Sequence, residues 1–135
     1  PMKHNAALAG TETPVQAVMA SQVACIHRDA KLQEVARKLA AVEVGALVVG
    51  ELDAVEGIIS ERDLVRAVAA GENLDVAMAH DVVASQDLLE CAPSTTAVEA
   101  AHLMAKRGVR HALVFESGRL RGIISARDVL AALTQ

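Results

Sequence analysis

The chain has 135 residues, of which 53% are hydrophobic and 22% are charged, and its formal net charge at pH 7 is −4. Its only aromatic residue is Phe115, alongside 27 alanines and 18 valines. This composition predicts a globular protein and excludes a disordered or collagen-like chain. The acidic balance and the near absence of aromatic rings for base stacking argue against a nucleic-acid binder.

The sequence contains an internal repeat that extends over most of the chain. The segment GIISERD at 57–63 returns as GIISARD at 122–128, and 13 of 48 positions are identical between 23–70 and 88–135. Such self-similarity predicts two structural units of the same kind. The predicted boundaries are 1–13 for a flexible N-terminal tail, 14–71 for the first repeat and 72–135 for the second.

Each repeat opens with a short strand and an amphipathic helix. Apolar residues recur at helical spacing over 32–40 and over 97–105, which predicts two helices that bury one face. Thr96 and Glu99 have the spacing of a capping box at the start of the second of these helices. The short strands are predicted near 24–26 and 88–90.

Two strands and a closing helix follow in each repeat. Short β-branched runs separated by polar turns predict strand pairs, and a further helix is predicted after each pair. The strands are expected at 44–49 and 55–60 in the first repeat and at 109–115 and 120–125 in the second, and the closing helices at 61–70 and 126–133.

The order of elements in each repeat is therefore α-β-β-α. One such unit alone would leave one face of a small sheet uncovered, which is marginally stable. We predict an α+β fold in which two α-β-β-α units pack face to face through their sheets with pseudo-two-fold symmetry.

The cysteines, histidines and apolar runs show no metal, disulfide or membrane pattern. Cys25 and Cys91 lie in different repeats with no CxxC pattern, and the five histidines form no HxxxH pair, so we expect core cysteines, no metal and a reducing cytoplasm. The run at 44–50 is far below the roughly 20 residues that span a bilayer. The run at 6–9 is too short for a signal peptide, and no membrane segment is predicted.

The strand-to-helix junction is the most strongly repeated feature. In each copy a serine and the aspartate three residues later fit a helix cap. An arginine precedes each aspartate, although a cation in the first turn opposes the helix dipole. The same groups could instead bind a phosphate and a ribose diol, and the residues alone leave both interpretations open. The junction residues are Ser60, Arg62 and Asp63 in the first repeat and Ser125, Arg127 and Asp128 in the second.

The arrangement of helix, two strands, a G-[IV]-[IV]-[ST]-x-x-D segment and a helix, twice over, resembles a pair of CBS domains. The segment RHALV at 110–114 is similar to the R-H-x-x-V segment of that family, although Leu113 stands where the family has proline. The resemblance covers about residues 14–135. It implies a disc-like pair that binds AMP, ADP, ATP, S-adenosylmethionine or NAD in clefts between the repeats, and homodimers that are head-to-head or head-to-tail.

The resemblance also implies roles for individual residues. Asp63 and Asp128 match the ribose-binding acids of the family, and Ser60 and Ser125 match its phosphate-side hydroxyls. We therefore expect the repeated junctions to supply the ligand contacts in both repeats.

The second repeat carries two further candidates. Arg110 and His111 match residues that often face the phosphates, whereas the first repeat has Gly45 and Ala46 at these positions. We expect unequal occupancy of the two clefts, and His111 could equally be an interface histidine bonded to backbone. The predicted nucleotide-binding residues are Ser60, Arg62, Asp63, Arg110, His111, Ser125, Arg127 and Asp128.

Three functions can be weighed from the sequence. The favoured one is a stand-alone regulatory module for energy sensing, in which AMP, ADP or ATP shifts the arrangement of units or protomers and a regulated enzyme or transporter responds. The alternative is a structural dimerisation domain in which the Ser-x-x-Asp segments are only helix caps. We do not expect an enzyme, a catalytic cofactor or a nucleic-acid partner, because the sequence has no P-loop, GxGxxG, HExxH or GxSxG motif.

Overall fold

A computed structural model describes residues 12–83 and 86–134 of the protein, which form two compact units. The first unit comprises residues 23–87, and the second joins residues 12–22 to residues 88–134. Residues 12–22 therefore pack with the strands and helices of the second repeat, and residues 72–83 and 86–87 pack with those of the first. The sequence boundaries given above for the repeats stay a prediction, and the predicted N-terminal tail lies, up to residue 11, outside the described residues.

Both units have the α-β-β-α order of the prediction, which confirms the α+β fold. The first unit contains β1 (Cys25–Ile26), α1 (Leu32–Val42), β2 (Ala46–Glu51), β3 (Ala54–Ser60), α2 (Glu61–Ala69) and α3 (Ala79–Val83). The second contains a 3-10 turn (Val15–Ala17), β4 (Glu90–Cys91), α4 (Ala97–Arg107), β5 (His111–Glu116), β6 (Arg119–Ser125) and α5 (Ala126–Leu133).

Each unit has one three-stranded sheet with the same topology. The short first strand is parallel to the central strand, and the third strand is antiparallel to it. The register pairs Leu47 with Ile59 in the first unit and Ala112 with Ile124 in the second. These pairs occupy equivalent positions of the two repeats, so the internal repeat extends to the register of the strands.

Helices α1 and α4 bury one face against the sheets, as their periodicity predicts. Ala40 and Ala105, at the ends of the two predicted stripes, are exposed. The buried residues of these helices are Leu32, Val35 and Leu39 in α1 and Ala97, Ala100 and Met104 in α4.

The central strands begin two residues later than predicted. Val44 and Val109 pack against the cores from the loops, and the next residues, Gly45 and Arg110, form bends before the strands start. The apolar run contains both strand residues and a loop residue that packs on the core, and the sequence does not tell them apart. The predicted strand therefore starts two residues too early. The short strand β4 likewise starts at Glu90, where it pairs with β5.

The predicted capping box of α4 is only half formed. The Thr96 hydroxyl oxygen accepts a hydrogen bond from the Glu99 N–H at 3.2 Å. The Glu99 carboxylate accepts from the Thr96 hydroxyl at 3.0 Å, and not from the backbone N–H of that residue. The Thr96 hydroxyl is thus both donor and acceptor in this cap, and the hydrogen bond from the Thr96 backbone N–H that would complete the box is not made.

In each unit, a segment from elsewhere in the chain covers the outer edge of the last strand. In the first unit the side-chain amide of Gln86 accepts from the Ile58 N–H at 2.9 Å and donates to the Ile58 carbonyl at 2.6 Å. In the second unit the backbone of Ala20 makes the equivalent pair of bonds with Ile123, at 2.9 and 3.1 Å. The first unit thus uses a side chain where the second uses backbone pairing. Gln86 follows the short helix α3, which the sequence did not predict.

Candidate functional site

The strand-to-helix junctions form because a serine ends each strand in extended conformation and caps the helix that follows. Ser60 and Ser125 have φ of −113° and −97°. Their hydroxyl oxygens accept from the N–H of Asp63 at 3.2 Å and of Asp128 at 3.1 Å. No loop separates strand and helix, so the first helical turn lies directly at the end of the sheet.

The two aspartates complete these caps through one carboxylate oxygen each. Asp63 Oδ2 accepts from the Ser60 N–H at 2.7 Å and from its hydroxyl at 2.9 Å. Asp128 Oδ2 accepts from the Ser125 N–H at 2.9 Å and from its hydroxyl at 2.8 Å. The capping interpretation is therefore confirmed at both junctions. Among the residues that the structure describes, Oδ1 of each aspartate accepts no hydrogen bond, so this oxygen stays available to a ligand.

The first-turn N–H groups are mostly paired already. The Glu61 N–H donates to the Gly45 carbonyl at 3.0 Å, and the Ala126 N–H donates to the Arg110 carbonyl at 2.8 Å. The third N–H of each helix is bonded to serine, as described above. Within the described part of the chain, only the second helical N–H of each junction lacks an acceptor. Each junction therefore offers an anion a single backbone donor.

The arginines of the two junctions have no acidic partner. Arg62 and Arg127 are exposed, and neither forms an ion pair with any residue in 12–83 or 86–134. A guanidinium in the first turn opposes the helix dipole. An anion bound at the junction would offset this unfavourable interaction.

The structure brings Arg110 and His111 to the junction of the second unit. His111 begins β5 directly opposite Ser125 of β6, and it is half-buried. Arg110 is exposed in the preceding bend and lines a groove of about 440 Å³ between α4 and α5. Five of the eight predicted residues therefore meet at one end of the β5–β6 pair, and the other three meet at the corresponding end of β3.

The junction of the first unit differs in the sign of its charge. Ala46 stands opposite Ser60, and a Cβ on Gly45 would lie 3.6 Å from Glu61 Oε1. A carboxylate therefore lies beside the position that Arg110 occupies in the second unit. The charged residues are Glu61, Arg62 and Asp63 at the first junction, net −1, and Arg110, Arg127 and Asp128 at the second, net +1.

Asp63 also lines a cleft that sequence reasoning missed. The cleft has a volume of about 310 Å³, and its lining also includes the charged residues Arg66 and Asp81 and the apolar residues Leu32 and Val82. One wall comes from the segment after α2, which reads in the sequence only as a polar connection. The acidic residues of that segment are the only feature of its sequence that could have indicated a cleft there.

The cysteines lie apart from the junctions. Both are free thiols; Cys91 is buried in the core of the second unit, as predicted, while Cys25 is only half-buried. Burial raises the pKa of both thiols. No three histidine, cysteine, aspartate or glutamate side chains in the described ranges are grouped to hold a metal ion. Across those ranges the structure also contains no helix long and apolar enough to cross a bilayer.

Comparison with known proteins agrees with this architecture. The model of the CBS domain family matches residues 15–70 and again residues 76–135. The chain belongs to the CBS domain family. The predicted pair of CBS repeats is therefore confirmed.

Three similar proteins place this CBS pair among known ones. An uncharacterized protein of Methanopyrus kandleri is 37% identical over 100 residues, which are 72% of the chain and 50% of that protein. The chain thus spans half the length of this relative. A CBS-domain containing protein from Agrobacterium tumefaciens has 33% identity and a TM-score of 0.80, with 91% of the CBS pair and 95% of that chain covered.

A third match shares the fold alone. The CBS domain of a bacterial CNNM/CorC family Mg²⁺ transporter, solved in complex with ATP, has 18% identity and a TM-score of 0.80. The alignment covers 99% of the CBS pair and 98% of that chain.

Proposed function

We propose that this CBS pair is a regulatory module that binds an adenosine-containing ligand, AMP, ADP or ATP, at its strand-to-helix junctions. The observation that carries the proposal is the junction found twice, with a free aspartate oxygen, a free N–H and an unpaired arginine at each copy. The ATP complex of the transporter CBS domain supports the choice of ligand class. S-adenosylmethionine and NAD contain the same adenosine group and are the other candidates.

Each group at the junction has a counterpart on an adenine nucleotide. Asp63 or Asp128 accepts the ribose hydroxyls through Oδ1, while Oδ2 keeps the helix cap. The free N–H of the first turn and the adjacent guanidinium bind a phosphate oxygen by charge-assisted hydrogen bonds. The hydroxyls of Ser60 and Ser125 contact the phosphate only if they rotate away from the aspartates.

The two junctions are proposed to bind unequally. The second junction has Arg110 and a net charge of +1, which favours a phosphorylated ligand. His111 stands beside it on the neighbouring strand and contributes a ring nitrogen to the same ligand. The first junction has Glu61 beside Gly45 and a net charge of −1, which disfavours phosphate. Phosphate-bearing ligands therefore occupy the second junction first.

Ligand binding is proposed to act by population shift. A nucleotide that binds one arrangement of units or protomers more tightly than another shifts the equilibrium by its differential affinity, and no more. A regulated enzyme or transporter in the cytoplasm would read this change. The module therefore reports the adenine nucleotide pool and is not itself a catalyst.

A structural dimerisation domain is the second candidate. It is favoured by the completeness of the two caps, which already give each serine and aspartate a structural role. Val65, Val68 and Leu130 are also exposed on helices, at 61% or more of their surface. Under this candidate no nucleotide binds, and self-association is the whole function.

Thermal unfolding with and without ligand separates the two candidates. A ligand at 100 times its dissociation constant adds about 2.7 kcal/mol of stability, which raises the Tm of a chain of this size by roughly 9–10 °C. We expect this shift with AMP, ADP or ATP. The proposal is wrong if these three, S-adenosylmethionine and NAD all leave the Tm unchanged.

A matched pair of variants places the ligand at the junction. Asp128→Ala and Thr96→Ala each remove a helix cap worth about 1 kcal/mol, but only Asp128 belongs to the proposed site. We expect both variants to lose similar stability and only Asp128→Ala to lose the nucleotide-dependent shift. Because the chain has no Trp or Tyr, a co-purified nucleotide is also visible as an absorbance band near 260 nm.

A further inference from the structure

The cleft beside Asp63 combines charges of both signs with an apolar lining. Its charged lining residues are Asp63, Arg66, Glu72 and Asp81, and the remaining lining residues are apolar. All of them belong to the first unit, so the cleft is complete within that unit. A neighbouring cleft of about 500 Å³ shares Glu72 and Asp81 with it, which leaves room for a bulky group.

Two of the charged side chains have no partner inside the protein. Neither Arg66 nor Glu72 forms a side-chain hydrogen bond or an ion pair with any residue in 12–83 or 86–134. Asp63 Oδ1 is unbonded within the same ranges, whereas Asp81 Oδ2 already accepts from the Met78 N–H at 3.0 Å. One guanidinium and the carboxylate oxygens of two acids are therefore available to a molecule that carries both an anionic and a cationic group.

The fold does not require the guanidinium at this position. The second repeat has Ala131 where the first has Arg66, and it still forms the closing helix with the same serine–aspartate cap. Arg66 therefore serves neither the helix nor the cap. Its presence only in the unit whose cleft is lined by three carboxylates favours a role in ligand contact.

The connection that lines the cleft is fixed at both ends by backbone hydrogen bonds. The Glu72 N–H donates to the Ala67 carbonyl at 3.0 Å, and the Ala77 carbonyl accepts from the Leu32 N–H at 2.9 Å. The lining contributed by α1, α2 and the connection is thus held in place without a ligand. A pre-formed site loses less conformational freedom when it binds.

We propose that this cleft binds a free α-amino acid with an apolar side chain. The ligand carboxylate pairs with Arg66, its ammonium pairs with Glu72 and with Asp63 Oδ1, and its side chain packs on Leu32 and Val82. One basic and three acidic lining residues give the cleft a net charge of −2, which disfavours an anion that lacks the ammonium. The inference does not rest on nucleotide binding, which is tested separately at the second junction.

Three indole compounds that differ in their charged groups test the proposal. L-tryptophan carries both groups, tryptamine lacks the carboxylate, and indole-3-propionate lacks the ammonium. Because the chain has no Trp or Tyr, indole fluorescence reports the ligand alone, and its anisotropy rises when the ligand binds the full chain. We expect L-tryptophan to bind at least about tenfold more tightly than either analogue.

Two variants and two controls locate the site. R66Q should weaken tryptophan binding at least about tenfold and leave tryptamine binding unchanged, because only the contact to the carboxylate is lost. E72Q should weaken tryptophan binding at least about threefold and leave indole-3-propionate binding unchanged. R37Q and E43Q remove the same charges from exposed positions of the first unit outside the cleft and should change none of these affinities.

All four substituted positions are exposed, so Tm values within a few degrees of the unchanged chain show that the variants fold. Absence of saturable tryptophan anisotropy up to about 2 mM of the chain overturns the proposal. Analogues that bind as tightly as tryptophan, or an R66Q variant that binds tryptophan like the unchanged chain, overturn it as well.

Discussion

The glycine that opens each GIIS segment is expected to be intolerant of alanine. A Cβ on Gly57 would lie 2.5 Å from Val83 Cβ and 2.5 Å from Gln86 Oε1. A Cβ on Gly122 would lie 2.6 Å from Met19 Sδ and 2.7 Å from the carbonyl oxygen of Ala20. Both glycines lie in strands with ordinary backbone angles, so the requirement comes from the segment packed across each strand and not from φ.

The cost follows from what has to move. Relief of the contacts at Gly57 requires displacement of α3 and of the Gln86 side chain, and relief at Gly122 requires displacement of backbone at Ala20. Overpacking of this kind destabilises by about 1–3 kcal/mol, which for a chain of this length lowers the Tm by roughly 3–10 °C. Gly57→Ala and Gly122→Ala should be similarly damaging, because the Val83 Cβ in one case and the Ala20 carbonyl in the other are both fixed to the backbone.

Gly45→Ala is the matched control. The nearest atom to its Cβ position is Glu61 Oε1 at 3.6 Å, an ordinary contact. This substitution should change stability by less than about 1 kcal/mol, since it also reduces the entropy of the unfolded chain. Thermal unfolding followed by circular dichroism measures all three variants. Equal Tm values for Gly45→Ala, Gly57→Ala and Gly122→Ala would refute the packing of the two segments across the strands.

Three further predictions follow from contacts and charges described above. Gln86→Ala removes two hydrogen bonds to the Ile58 backbone at an exposed site, and urea unfolding should show a loss of about 1–2 kcal/mol; no loss would mean that water replaces the amide fully. Burial raises the pKa of the Cys91 thiol, so the folded chain holds this proton more tightly than the unfolded chain, and the free energy of unfolding should fall as pH rises past the ordinary thiol pKa of 9.0. The free energy of unfolding of Cys91→Ala should fall less steeply with pH. Parallel curves for the two proteins would show that the Cys91 thiol does not cause the fall. Arg110→Ala should weaken AMP and ATP binding in calorimetry while adenosine binding is unchanged, and equal losses for all three would contradict a phosphate contact.

Local patterns in the sequence were sufficient for the elements and for the caps. The periodic apolar residues of α1 and α4 and the Ser-x-x-Asp spacing depend only on neighbours within one or two turns, and both predictions are confirmed. The constant spacing between equivalent residues of the two repeats also predicted the common topology of the two units. These features are local or are encoded twice, which is why they can be read without coordinates.

Contacts between distant segments could not be predicted in the same way. Nothing near Gln86 indicates that its amide would pair with Ile58, on a strand far earlier in the chain, or that Asp81 would share a cleft with Asp63. The short helix α3 is stabilised by such contacts, including the Ala79 N–H bonded to the Ala30 carbonyl at 2.8 Å. Its propensity alone gave no signal, because so short a segment does not form a helix without tertiary support.

The junction residues show a different limit. A serine and an aspartate three residues apart serve a helix cap and a ribose equally well, so their spacing cannot separate the two roles. The coordinates narrow the choice, because they show that Asp128 uses one carboxylate oxygen for the cap and leaves the other unbonded within the described residues. The unpaired Arg127 beside it is the feature that a cap does not explain.

A titration with AMP followed by ¹H–¹⁵N NMR most directly tests whether a nucleotide occupies these helix starts. Binding at the second junction predicts saturable shifts of the backbone amides from Ser125 to Asp128, with the largest at Arg127, whose N–H gains an acceptor. Amide resonances that stay in place up to millimolar AMP, or that shift only at positions remote from both junctions, would contradict the account.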